Sequence, residues 1–401
     1  MRAHAIACTL LIALLGISCE IKKSDVAPET SFIRVYETTN IEEAYHPQNI
    51  TQLPDKEYIV LSSLDDSTRS NYPKVSLTAL TSAGGVIESV VLPENYTNPV
   101  PEWILINDQY YFVCMDDITL QAKLIQVSLN NGNLNYSELM EFDRRMPLFA
   151  WSEGENILLL SYDRIGRNSV IDLYDDNFNP QWQSSIPANE DFENDIRLHL
   201  KKQGKTFPFF IGKIHDDEGM DSYFVNCLAN YSMALLFLEG ASGTVTGRLY
   251  TYQEETSISS ALHLYQDTFA VSRYHSGDNY VFPRVRLDIH ELQNTENFND
   301  ILISQFKADA NTDIMLYTLD EKQYIVYAST NKSNQIVLLF FNAKTGEQVN
   351  GHTLGYGNPV EVANIIQTED DGISVLGKTW INSQYQRMII YKLSADQLEL
   401  D

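Results

Sequence analysis

Seven short apolar runs at a period near fifty residues predict an all-β protein: a seven-bladed β-propeller whose last blade is closed by the N-terminal strand. Three observations carry this. The first is the period. Runs such as "KVSLTALTSAGG", "AKLIQVSLNNGN" and "IVLLFFNAKTGE" begin at 74, 122, 169, 233, 284, 336 and 387, and most end in Gly, Asn or Asp, which tolerate tight turns. The second is a preceding strand in every unit, from "YIVLSS" through "YYFVCM", "NILLLSY", "YFVNCL", "DTFAVSR" and "QYIVYAS" to "DGISVLGKT". Fragments before and after these bring each unit to about four strands, the content of one blade. The third is a mismatch at the ends. The last unit stops inside its fourth strand at "QLELD", whereas "SFIRVYET", residues 31 to 38, has no unit of its own. Pairing the two closes the ring and removes two open sheet edges.

The elements follow in chain order. Residues 1 to 18 have the form of a secretory signal: Arg2, then the apolar run "AIACTLLIALLGI", too short for a comfortable membrane span. The run ends in "GISC", which resembles the lipobox of bacterial lipoproteins, with Gly16 where that family usually has Leu. The resemblance implies cleavage before Cys19 and lipidation of its thiol. Residues 19 to 30, polar and containing a Pro, read as a flexible tether. Glu20 and Asp25 suit surface export and Lys22 and Lys23 do not, so the membrane face stays open. Residues 31 to 401 form the propeller.

One unit spacing is long, 64 residues between 169 and 233, and marks an insertion at residues 188 to 208. Phe192, Ile196 and Leu200 recur there at helical spacing, with acidic residues early and Lys201 and Lys202 late, matching a helix dipole. Cys114 and Cys227 lie in apolar strands of units that are not neighbours, so buried free thiols are expected.

Several motifs are tempting. Thr368, Asp370, Gly372 and Ser374 fall on the offsets of the sialidase Asp box, but position eight is Val375, not an aromatic, and the stretch lies between first and second strands. It reads as a hairpin turn. Ala343, Thr345 and Gly346 resemble quinoprotein-like or WD40-like propeller repeats, without the expected Trp. That resemblance supports the fold and no quinone cofactor. Asp175, Asn177 and Asn179 are spaced like the start of a calcium loop, yet Pro180 and Ile186 stand where Gly and Glu are needed. The acidic run 215 to 221 reads as a solvated turn. No HExxH, CxxC, GxSxG or P-loop pattern occurs, and neither cofactor nor metal is expected.

A net charge of −26 disfavours nucleic acid and anionic lipid surfaces as partners. The loops between second and third strands, and those between blades, concentrate Tyr, Trp, Arg and Asn, a mixture suited to a protein or glycan. The candidate ligand-binding residues are Tyr72, Arg144, Arg145, Tyr162, Arg164, Arg167, Tyr274, Tyr280 and Trp380. Arg144 and Arg145 form a positive spot in an acidic chain, for which an internal ion pair is the commoner fate and an anionic partner the alternative. The sequence thus predicts a monomeric, lipid-anchored binding or scaffolding protein of the Gram-negative outer membrane. The alternative is a cell-surface protein that binds or processes carbohydrate.

Overall fold

A computed structural model describes residues 31–37, 43–65, 72–203, 207–215, 221–250, 256–275, 277–294, 298, 301–303, 306–307, 310–355, 357–381 and 385–400. Strand β1 (Phe32–Tyr36) precedes seven antiparallel meanders. The first contains β2 (Ala44–Gln52), β3 (Tyr58–Asp65), β4 (Lys74–Leu80) and β5 (Val86–Val91). A short β6 (Tyr96–Thr97) bridges it to the second, β7 (Ile104–Ile106), β8 (Gln109–Asp116), β9 (Gln121–Asn130) and β10 (Asn133–Arg145). The third is β11 (Pro147–Glu153), β12 (Asn156–Asp163), β13 (Asn168–Tyr174) and β14 (Pro180–Pro187), followed by helix α1 (Glu193–Leu200). The fourth is β15 (Phe210–Ile214), β16 (Ser222–Ala229), β17 (Ser232–Glu239) and β18 (Val245–Tyr250). The fifth holds β19 (Thr256–Tyr265), β20 (Thr268–His275) and β21 (Asp278–Arg286); after it β22 (Leu292–Asn294) crosses to pair parallel with β18, and β23 (Ile301–Leu302) returns to β21. The sixth is β24 (Thr312–Leu319), β25 (Lys322–Thr330), β26 (Ile336–Asn342) and β27 (Gln348–Leu354). The seventh is β28 (Val360–Gln367), β29 (Ile373–Ile381) and β30 (Tyr385–Leu393).

The seventh sheet takes its fourth strand from the other end of the chain. β1 pairs antiparallel with β30, from Phe32 opposite Lys392 to Tyr36 opposite Met388. The residues after β30 do not begin a strand of their own, as the sequence suggested. Ala395–Leu398 is a 3-10 turn with a capping box on Ser394, because that local bonding satisfies the backbone before the chain ends. On the other side β2 packs against β28 and β30, and the Ile50 amide donates to Asn364 Oδ1 at 3.4 Å.

Middle strands are buried on both faces, since each sheet is sandwiched between neighbours: β3 and β16 are buried along nearly their whole lengths. Fourth strands alternate, as in β27 and β14, with one face towards solvent. The fifth unit departs from its sequence reading. Its third strand starts at Asp278 rather than at Arg284, and the segment beyond it leaves for the fourth sheet. Gly247 permits that docking, because a Cβ there would lie 2.5 Å from the Ile289 carbonyl oxygen.

The insertion forms the expected helix. Ile196 and Leu200 are buried, Phe192 packs against the same core cluster, and Glu193 and Asp195 occupy the first turn. Cys114 and Cys227 are buried free thiols, which burial pushes well above the usual thiol range. Thr368 to Gly372 is a hairpin turn between β28 and β29: the Thr368 amide donates to the Gly372 carbonyl at 2.9 Å, and Lys392 pairs with Asp370 at 2.9 Å. Asp175 accepts from the amides of Asn177 and Asn179 in the β13–β14 turn, so its carboxylate serves the backbone. Most of the 215 to 221 run lies outside the described residues, as do the signal, Cys19 and the tether.

Candidate functional site

In an antiparallel meander the second-to-third turns and the connections between blades emerge on one face. On that face a pocket of about 850 Å³ opens between the second and third sheets and the helix. Its walls come from Tyr72 before β4, the β8–β9 turn, the end of β10, the β12–β13 turn and the last turn of α1. Of the nine residues the sequence put forward, Tyr72, Arg144, Arg145, Tyr162 and Arg164 line it.

Their roles differ. Tyr162 is buried and its hydroxyl accepts the Phe192 amide at 3.1 Å, so it holds the start of the helix. Tyr72 is also buried, which raises its phenol above the usual range, and the Lys201 ammonium sits 5.6 Å from its ring centroid. Arg144 and Arg145 end β10 rather than lying in a loop, and the chain turns at Met146, whose φ is 53°. Arg144 makes a two-pronged bond to the buried Asp172, Nε to Oδ2 and Nη2 to Oδ1, both at 2.6 Å. That hydrogen bonding raises the Arg144 pKa, so the guanidinium stays charged and the pair is structural. Arg145 is exposed and has no ion pair among the described residues.

Arg164 and Arg197 share one carboxylate, Glu193, at 3.5 and 2.8 Å. Asp117 also lines the pocket, and its Oδ1 is buried with no hydrogen-bond partner among the described residues. Burial, and then the charge of Asp116, push the Asp117 carboxyl above its ordinary value. Ile118 and Ile165 stand at the pocket mouth, 87% and 85% exposed.

The other four candidates do not join this site. Arg167 pairs loosely with Asp191 at 3.8 Å, both exposed. Tyr274 and Tyr280 belong to the β20–β21 hairpin of the fifth unit, where the Arg273 guanidinium lies 5.3 Å from the Tyr280 ring centroid. Trp380, on the seventh, carries the Lys378 ammonium 5.3 Å from its ring centroid. The shared surface expected of all nine is therefore split, because the blades holding the last three lie elsewhere around the ring. Sequence reasoning missed Arg197, Lys201 and Asp117. The first two were within reach: spaced four apart on the insertion, they adjoin its buried Ile196 and Leu200.

The axis of the ring holds a second group. Asn49 Nδ2 donates to Glu102 Oε2 at 3.0 Å, and the Ile365 amide donates to Asp313 Oδ2 at 3.0 Å. Both carboxyls are crowded by protein. Burial, reinforced by Asp313, pushes Glu102 up to about 8, and burial pushes Asp313 up to about 6. Lys202, just past the helix, is lowered to about 8 by burial and then by Lys378 of β29. His46 of β2 is lowered to about 4 by burial, then by Lys378 and Lys202, so it is neutral. The end of the insertion is thus within electrostatic range of side chains on the first and seventh sheets.

The strand order defines this chain as a β-propeller. No protein-family model and no curated protein sequence matches it. Among solved structures it is similar to the β-propeller domain of the Trilobed protease from Pyrococcus furiosus, at 8% identity and TM-score 0.45, covering 89% of this chain and 98% of that one. It is also similar to the Dos1 propeller, at 10% identity and TM-score 0.48, covering 88% and 94%, and to Sqt1 from Chaetomium thermophilum, at 11% identity and TM-score 0.45, covering 90% and 100%.

Proposed function

We propose that this propeller is a non-enzymatic binding or scaffolding lipoprotein, tethered through Cys19 on the outside of the cytoplasm, which engages its partner with the face that carries the pocket. The observation that carries the reading is the pocket mouth. Ile118 and Ile165 are the two most exposed large apolar side chains among the described residues, and both flank the same polar cavity. Apolar tips around a polar recess suit a contact surface, since they are buried only when a partner arrives. The test places a photo-crosslinking amino acid at Ile118 or Ile165 and, as a control, at the exposed Val86 of β5. Adducts formed in the native envelope from the first two positions and not from the third support the reading. Equal or absent adducts at all three overturn it.

One observation favours a second reading, glycan processing. Glu102 and Asp313 are two interior carboxyls, each raised above its usual range and each sensing a different environment, the pattern of an acid and a base on one sugar. Turnover of a glycan by the wild type, abolished in Glu102→Gln, would establish it in place of the scaffold.

A further inference from the structure

Among the described residues, six of the seven meanders end in a fourth strand of 5 to 13 residues: β5, β10, β14, β18, β27 and, for the seventh, β1. The fifth does not. Its outer strand β23 covers only Tyr280 and Val281 of β21, and the chain that follows β21 leaves for the fourth sheet as β22. From Phe282 to Arg286, β21 has no strand on its outer side among the described residues. An uncovered edge presents backbone donors and acceptors to which another chain can pair. A recess of about 520 Å³ lies along it, lined by Phe282, Arg284, Val285 and Arg286 of β21 and, from β22 onward, by Leu292 and Phe298 among others. The two sides of this edge differ. Phe282 and Val285 join the cluster that holds Phe237 and Leu249 of the fourth sheet, and Phe298 meets Phe282 edge to face with centroids 5.0 Å apart. Between Phe282 and Val285 a register shift turns Arg284 the other way, to the Tyr265 hydroxyl and to the Lys344 carbonyl in the β26–β27 turn. Arg286, next after Val285, alternates to that same side. Both arginines are exposed, and neither forms an ion pair among the described residues. No carboxylate is among the described residues that line the recess.

We infer that the open edge of β21 docks an extended peptide segment of a partner protein, which adds as the missing fourth strand of the fifth blade. Its apolar side chains lie on Phe282, Val285 and Phe298, and its alternate, acidic side chains turn towards Arg284 and Arg286. Main-chain bonds along the edge hold such a segment, and the alternation of its side chains selects it. The site is separate from the pocket face. Arg286 stands opposite Thr268, beside the first-to-second turn, at the other end of the blade.

The experiment follows the fluorescence anisotropy of a labelled peptide that alternates Val and Glu as the full chain is added. Two comparison peptides accompany it. One carries Lys in place of Glu. The other keeps Val and Glu but has its backbone nitrogens methylated, which removes the strand's donors and leaves the side chains. The acidic peptide should bind about tenfold tighter than either. Arg286→Ala should weaken it about threefold, and Arg286→Glu should reverse the preference in favour of the Lys peptide. Arg286 is exposed, so both variants should fold, which far-UV circular dichroism verifies. Lys56→Glu makes the same change of charge at an exposed turn of the first blade and should leave the affinity unchanged. Equal binding of the acidic and Lys peptides, equal binding of the methylated peptide, a preference unaltered in Arg286→Glu, or no binding of the acidic peptide at millimolar concentration would overturn the inference. Crosslinking at Ile118 and Ile165 reports on the other face, so failure of this site and failure of the pocket face give different results.

Discussion

Replacing Phe32 with Ala tests how the ring is fastened. Phe32 opens β1, and its ring is 7% exposed in a cluster with Tyr58, Val60, Leu80 and Met388. It meets Tyr58 edge to face with centroids 6.5 Å apart. Truncating a buried Phe costs about 3–5 kcal/mol, and a terminal strand can relax, so the lower end, about 3 kcal/mol, is expected. Opposite stands Gly84 in the β4–β5 turn, with φ +74° and room for no Cβ: one built there falls 2.5 Å from Phe32 Cε2. Gly84→Ala therefore carries a left-handed backbone strain of about 1–2 kcal/mol and must also displace the Phe32 ring. In the double variant the ring is gone and only the backbone strain remains. Phe32→Ala with Gly84→Ala should then lose less than the sum of the single losses, by about 1 kcal/mol. Urea unfolding followed by far-UV circular dichroism reads all four proteins. A wild-type midpoint in Phe32→Ala, or strict additivity in the double variant, would refute the view that β1 locks the seventh sheet to the first.

Further predictions concern the two arginines, the axis and the anchor. Arg144→Ala strands a buried carboxylate and should destabilise the fold by about 3 kcal/mol, whereas Arg145→Ala should stay within about 0.5 kcal/mol of wild type in the same urea assay. Glu102 and Asp313 hold protons more tightly folded than unfolded, so their contribution to stability is full below about pH 4 and is lost as pH rises through about 6 and then about 8. Glu102→Gln should flatten the fall in melting temperature between about pH 4.5 and 8; an unchanged slope would contradict the assignment. Leu200→Ala should cost about 2–4 kcal/mol by removing a fully buried side chain and should increase hydrogen exchange in α1 before the strands. Cys19→Ala should abolish incorporation of a fatty-acid analogue, and label retained by the variant would end the lipoprotein proposal.

The propeller was legible because its middle strands are sandwiched between blades. Strands such as β3 and β26 are buried on both faces, so they appear in the sequence as unbroken apolar runs with a turn behind them. Outer strands were harder. β14 and β27 alternate polar and apolar residues, and β23 pairs through only two residues, too few to leave a pattern. The helix was readable from Ile196 and Leu200, yet nothing local said that it would fold over the second and third sheets. That placement turns Arg197 and Lys201 into pocket residues. The site was half legible for the same reason. Composition pointed to the face that carries the pocket, but whether an arginine is structural or free depends on a partner far along the chain, as Asp172 is for Arg144 and as no described residue is for Arg145. Tyr162 looked like contact surface and instead bonds the helix, because the insertion supplies the amide that its hydroxyl accepts.

The most direct test of the central claim reverses charge on one face at a time. Arg145→Glu with Lys201→Glu alters the pocket, and Lys56→Glu with Lys322→Glu makes the same change of charge at exposed first-to-second turns on the opposite face. Each tagged protein is recovered from the native envelope, and what copurifies is quantified by mass spectrometry of proteins and glycans. The account predicts loss of the retained species in the pocket variant and retention in the control, with both proteins folded. Equal retention in the two, or loss in both, would contradict the claim that this propeller works through its pocket face.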